Sequence, residues 1–180
     1  MDAVLYLDVD GPLNPWAAKP ERRPAGYETH RLKPPSLAAH YPGKPWAYVK
    51  PLRVWLNPAH GPALTGLGLS IVWATTWMGE ARDFIAPAIG LPPLPFVDFG
   101  DRLEGKGPGG THGKTEALVA HANGRDFAWV DDEITDTDRE FVAARHPGRA
   151  LLHWVDPRLG LRESDFAALA TFAAAATASA

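Results

Sequence analysis

Five short apolar runs, separated by helix signals, constrain this chain more than any other feature. The runs cover residues 3–7, 69–74, 94–99, 127–130 and 150–155. Each is too short for a helix, and several carry Val, Ile, Trp or Phe. Unbroken apolar runs of this length suit strands buried on both faces of a parallel sheet. Between them lie helix starts and stops. Asn57-Pro58 reads as an N-cap and first-turn proline ahead of Leu64 and Leu67. Residues 80–89 carry Phe84, Ile85 and Ile89 at helical spacing, with Gly90 as the stop. Thr111 or Gly113 opens a helix through Leu118 and Val119 that ends at Gly124. Thr135 opens another through Phe141 and Val142 that ends near Pro147. Ser164 opens the last, with Asp165 in its first turn and Phe166, Leu169 and Phe172 along one face. This order predicts one α/β domain over residues 1–180, a three-layer, Rossmann-like fold with a largely parallel sheet of about five core strands.

One interval breaks the alternation. Of the 18 prolines, 11 fall between Pro12 and Pro62. Residues 14–57 therefore read as an inserted, Pro-rich flap, with a hairpin expected from 27–32 and 47–52. Arg22-Arg23 and Arg31-Leu-Lys33 form a modest basic cluster there, read as a solvated loop. The net charge of −3 is too near neutral for a nucleic-acid-coating surface or a disordered acidic tail. With no Cys, disulfides, thiolate zinc sites and cysteine nucleophiles are excluded. The seven histidines show no metal-ligand spacing and read as surface or capping residues. The N-terminus lacks the basic start of a signal peptide, and no run is long enough to span a membrane. A cytoplasmic protein is the expectation.

In open parallel sheets, function collects at the carboxyl ends of the strands. Asp8 and Asp10 follow the first run, with Gly11 after them. Thr75-Thr76-Trp77 follows the second. The third offers Asp98 within it and Asp101 beyond it. Asp131-Asp132-Glu133 follows the fourth, and Asp156 the fifth. Four carboxylates converging on one edge repel unless a cation compensates. Oxygen ligands alone select a hard ion, most simply Mg²⁺, which keeps several waters and typically meets substrate phosphate. Thr75, or Thr76 if the strand runs one residue longer, offers a hydroxyl and a backbone N–H to phosphoryl oxygens. Lys114, at a helix start, supplies a cation where the carboxylates need one. Lys106 competes from a Gly-rich loop that fixes geometry poorly. Trp77 reads as packing, while Trp16, Trp46, Trp55 and Trp77 together would suit a ring-bearing substrate.

Asp8-x-Asp10-Gly11, Thr75, Lys114 and Asp131-Asp132 with Asp136 resemble the four ordered motifs of the haloacid dehalogenase superfamily of phosphatases and phosphotransferases. The stretches Asp-Gly-Pro-Leu-Asn-Pro15 and Ala-Thr-Thr-Trp77 are similar to those of a small-cap bacterial branch. The resemblance covers residues 8–136. It implies a Mg²⁺-dependent phosphohydrolase in which Asp8 is the nucleophile and forms an aspartyl phosphate. Asp10 would be the general acid and base. Thr75 would bind phosphoryl oxygens, and Lys114 would stabilise the transition state. Asp132, Asp8 and the Asp10 carbonyl would hold the metal, supported by Asp131 beside it and Asp136 behind. Pro12, where the family often has Thr or Val, stiffens the turn after the acid. A small cap implies an open site for large phosphorylated substrates such as nucleic-acid ends or phosphoproteins, or a second subunit of a homo-oligomer closing over small ones.

Two other readings compete. One is a catalytically inactive binding module on the same fold. The other is a P-loop NTPase, suggested by Gly113-Lys114-Thr115 and the later Asp131-Asp132. That motif needs Gly at 108, which is proline, and residues 98–110 hold no convincing strand to launch the loop.

Overall fold

The computed structural model describes residues 3–100 and 106–178. Asp101, expected after the third run, lies outside them. Four of the five runs form a parallel sheet: β1 (Val4–Leu7), β4 (Ser70–Trp73), β5 (Phe127–Asp131) and β6 (Ala150–Trp154). The strand order is β4-β1-β5-β6. The register is continuous across the centre, with Leu7 opposite Trp73 on one side and Val130 on the other. All residues of β1 and β5 are buried, as expected for strands covered on both faces.

The strands divide the core by alternation. Leu5, Leu7, Ala128 and Val130 face one layer with Leu64, Ile85, Ile89 and Leu169. Val4, Tyr6, Phe127 and Trp129 face the other with Leu118, Ala122 and Val142. The first layer holds α1 (His60–Thr65), α2 (Ala86–Ile89) and α5 (Glu163–Thr177). The second holds α3 (Thr115–Ala122) and α4 (Asp136–Arg145). The three-layer α/β expectation therefore stands, on four strands rather than five.

The missing strand is residues 94–99. Only Phe96 bridges to Trp73, held by Trp73 N–H to the Pro95 carbonyl and Val97 N–H to the Trp73 carbonyl, both at 2.9 Å. Pro92, Pro93 and Pro95 supply no backbone N–H, so the segment touches the edge of the sheet without forming a ladder. Proline also reshapes the helix expected over 80–89. Ala81–Ile85 is a π-helical turn, and Pro87 lies in the first turn of the short α2 that follows it. Gly90 ends α2 in the left-handed region at φ 75°, as expected.

The flap is a hairpin with two 3-10 turns. β2 (Glu28–Leu32) pairs antiparallel with β3 (Leu52–Leu56), Glu28 opposite Leu56 and Leu32 opposite Leu52. The second strand thus starts five residues later than expected, at Leu52. Trp46–Tyr48 forms a 3-10 turn after Pro45, and Pro51 cannot donate, so pairing starts only after it. A second 3-10 segment, Pro35–His40, lies between the strands. Asn57 caps the turn ahead of α1, accepting from Ala59 N–H at 3.0 Å, and α1 itself starts at His60.

Two histidines depart from the surface expectation. His60 is buried at the flap root, edge-on to Tyr27 and beside Phe166 of α5. His146 is buried too, although it does cap α4, and its Nε2 lies 3.0 Å from the Arg125 carbonyl.

Candidate active site

β1 lies between β4 and β5, and the chain leaves it toward opposite sides of the sheet. That is a topological switch point, where open α/β sheets leave a crevice at the strand ends. Backbone bonds extend the ladder into this crevice: Ala74 N–H to the Leu7 carbonyl at 2.9 Å and Asp8 N–H to the Val130 carbonyl at 3.1 Å. Asp8, Thr75 and Asp131 are thereby set side by side.

Lys114 sits immediately before α3 and is buried. Its Nζ lies 2.7 Å from Asp8 Oδ2 and 2.7 Å from Asp131 Oδ2. Burial alone would lower the Lys114 pKa. The two carboxylates outweigh it and hold the ammonium above the ordinary lysine range. Asp8 Oδ1 accepts from Val9 N–H at 2.7 Å, and the neighbouring Thr75 hydroxyl helps to lower the Asp8 pKa. Burial pushes the Asp8 carboxyl above the usual carboxylate range. Lys114 pulls it down and Asp131 pushes it further up. Asp131 is fully enclosed, accepting also from Trp129 Nε1 at 3.1 Å and Glu133 N–H at 2.9 Å.

Asp132 is less committed. Its Oδ2 accepts from Trp16 Nε1 at 3.1 Å, and its carbonyl accepts from Trp154 Nε1 at 2.7 Å. Burial raises its pKa to about 6, against the lowering effect of Trp16. Its carboxyl is admitted by Gly11, whose φ is +89° and where a Cβ would lie 2.4 Å from Asp132 Cγ. Glycine is thus required there twice over, by backbone and by space.

Asp10 is held at both oxygens. Asn14 Nδ2 donates to Oδ1 at 2.7 Å, and Trp77 Nε1 donates to Oδ2 at 2.9 Å. Asn14 Oδ1 in turn accepts from Trp55 N–H of β3 at 3.0 Å. Trp77 therefore packs in the core, as expected, and also orients an acid, which its sequence context did not reveal.

The structure brings Asp8, Asp10, Thr75, Lys114, Asp131 and Asp132 together. Thr75 is buried beside Asp8, whereas Thr76 is exposed and lines the cavity next to Asp10. Asp136 does not join them. Its side chain is 98% exposed and pairs with Arg139. Asp138 takes the inward place instead, accepting from His112 N–H, Thr115 Oγ1 and Thr135 N–H at 2.5–2.8 Å. Lys106 is exposed, bridged to His112. Asn14 and Asp138 were not singled out by sequence, and Trp16 was read only as one of four rings for a ring-bearing substrate, not as a partner of Asp132. A Thr-x-x-Asp capping box was the available signal for Asp138.

Asp8, Asp131 and Asp132 each bring one carboxylate oxygen within 4.8 Å of the others. Three carboxylates thus stand against the one ammonium that pairs with them among the described residues, that of Lys114, an imbalance that a divalent cation offsets. All the donors are oxygens, and Asp132 retains an oxygen unclaimed by another side chain among the described residues. The residues thus fit a hard ion such as Mg²⁺.

Among the described residues no helix is long and apolar enough to cross a membrane. No protein-family model, curated protein or solved structure matches this chain.

Proposed function

We propose that this chain is a Mg²⁺-dependent phosphohydrolase of the haloacid dehalogenase type, working through an aspartyl phosphate on Asp8. The observation that carries the reading is the Asp8 carboxylate, fixed by Lys114 Nζ at 2.7 Å, with a second carboxylate two residues on that is steered by two side-chain donors. A nucleophile held by a buried cation and an acid held apart from that cation divide the labour that phosphoryl transfer needs.

In the first step an Asp8 oxygen bonds to phosphorus as the ester P–O bond breaks. Protonated Asp10 gives its proton to the departing alkoxide. In the second, Asp10 takes a proton from water, the resulting hydroxide attacks phosphorus, and the Asp8–phosphorus bond breaks. Orthophosphate leaves, and Asp8 and Asp10 regain their starting forms. Lys114 and the Thr75 hydroxyl offset charge on the nucleophile and the phosphoryl oxygens throughout. Asp132 and Asp8, with Asp131 beside them, would hold a Mg²⁺, whose chemistry when bound would be further positive charge at the phosphoryl oxygens. Asn14 and Trp77 keep the acid aimed at the leaving-group side, where the cavity opens.

Phosphate release from p-nitrophenyl phosphate with and without Mg²⁺ tests the reading. Wild type should turn over only with the metal, and Asp8→Asn should be inactive. Turnover by Asp8→Asn at the wild-type rate would remove Asp8 as nucleophile. A silent wild type across a broad phosphomonoester panel would favour a binding module on this fold.

A further inference from the structure

The flap and the body carry opposite charge. Residues 14–57 hold eight Lys and Arg against two Glu, a net +6; the rest of the chain holds ten against nineteen, a net −9. The overall −3 conceals this separation. Among the described residues none of the eight flap cations forms an ion pair with a carboxylate. A one-signed surface of this kind raises the local concentration of polyanions.

The same flap exposes flat rings. Trp16 is 57% exposed, Tyr41 40%, Trp46 42% and Tyr48 72%. Two of them carry a cation: Lys33 Nζ lies 4.3 Å from the Trp46 ring centre and Lys44 Nζ 5.2 Å from that of Tyr41. Rings interleaved with cations are what an unpaired nucleotide strand requires, since the ring stacks on a base and the cation meets the backbone phosphate. A cavity of about 810 Å³ is lined both by flap residues, among them Trp16, Tyr41 and Arg53, and by the acid Asp10.

We infer that the flap is a binding surface for single-stranded nucleic acid, and that it delivers the strand's terminal phosphate to Asp8. This rests on the phosphohydrolase reading. The reaction is hydrolysis of an end phosphomonoester to a terminal hydroxyl and orthophosphate, with water as the only co-reactant. The rings favour unpaired bases over a duplex, whose bases are already stacked. They also favour nucleic acid over a phosphopeptide, which cations alone would serve.

The test is fluorescence anisotropy of a labelled 12-nucleotide DNA strand with a terminal phosphate, on the full-length Asp8→Asn protein so that the end is not consumed. Binding should weaken about fiftyfold between about 50 and 200 mM salt if about four phosphates are neutralised. Trp46→Ala and Tyr48→Ala should each weaken it at least about fivefold. Lys33→Glu with Lys44→Glu should flatten the salt dependence, with circular dichroism checking that the fold is kept. Wild-type protein should remove the terminal phosphate. If it cleaves p-nitrophenyl phosphate yet neither binds nor dephosphorylates the strand, the inference fails while the phosphohydrolase reading stands. If it binds the strand but cleaves no phosphomonoester, the delivery step fails with that reading. Tighter binding to a phosphopeptide, a duplex or phosphatidylserine vesicles than to the single strand would overturn the assignment of the partner.

Discussion

The indole N–H of Trp77 donates to Asp10 Oδ2 at 2.9 Å, across 67 residues of chain. The ring stays in the apolar layer beside Trp73 and Ile85 while its one polar atom reaches the site. Trp77→Phe keeps most of that packing and removes only the donor. A hydrogen bond to a charged group is worth about 1.5–3 kcal/mol, so kcat should fall about tenfold or more. KM for p-nitrophenyl phosphate should stay near the wild-type value. A change confined to KM would mean that Trp77 shapes the binding site and not the acid.

Among the described residues, Lys114 is the one cation paired with the buried carboxylates of Asp8 and Asp131. Lys114→Met keeps the volume and leaves both acids without their cationic partner. Loss of one side of a buried pair costs about 3–5 kcal/mol. Urea unfolding without divalent metal should show that loss, and saturating Mg²⁺ should restore part of it by binding the native state alone. Equal stability with and without metal would contradict a cation site among these carboxylates.

Gly11 admits Asp132 to the cluster. Gly11→Ala forces a Cβ against the Asp132 carboxyl from a left-handed backbone position. Stability should drop by about 1–3 kcal/mol. The rise in melting temperature on adding Mg²⁺, expected for wild type, should shrink or vanish. An unchanged metal-induced shift would show that Asp132 binds no metal.

His60 ties stability to pH. Burial lowers its pKa to about 4, partly countered by a backbone hydrogen bond with Leu161. The unfolded chain binds this proton more readily, near pH 6.5. The native state is therefore unpenalised above about pH 7, and it loses stability as pH falls from about 6.5 toward 4. Between pH 8 and pH 5 the loss from this one group is about 2 kcal/mol. Urea midpoints at the two pH values measure it, and His60→Phe should remove that share of the difference.

Much of this molecule is legible where the cause is local. Residues 4–7 and 127–131 read as buried strands because their apolar side chains run unbroken, and both faces of each strand are in fact covered. Asp8, Thr75, Lys114, Asp131 and Asp132 read as a group because each sits at a strand end or helix start. Residues 94–99 mislead because apolar content alone does not report the N–H groups that Pro92, Pro93 and Pro95 lack. Asp136 misleads through helix geometry: two residues along a helix turns a side chain about 200°, so it faces solvent while Asp138 faces in. Asn14, Trp16 and Trp77 are illegible for a different reason. Their partners, Trp55, Asp132 and Asp10, come from other parts of the chain, and no local pattern encodes such a meeting.

Asn14 touches the acid with one end of its amide and a flap strand with the other. If the hairpin peels away, the amide loses its anchor at Trp55 and the carboxyl it steers is free to swing. A phosphorylated ligand could then enter and meet Lys114 and the nucleophile, but find no proton aimed at the bond to be broken. The hairpin and the acid thus form one interlock, so that only a ligand compatible with the seated flap completes the machinery. Discrimination between ligands would be read in the speed of bond breaking as well as in how tightly they are held.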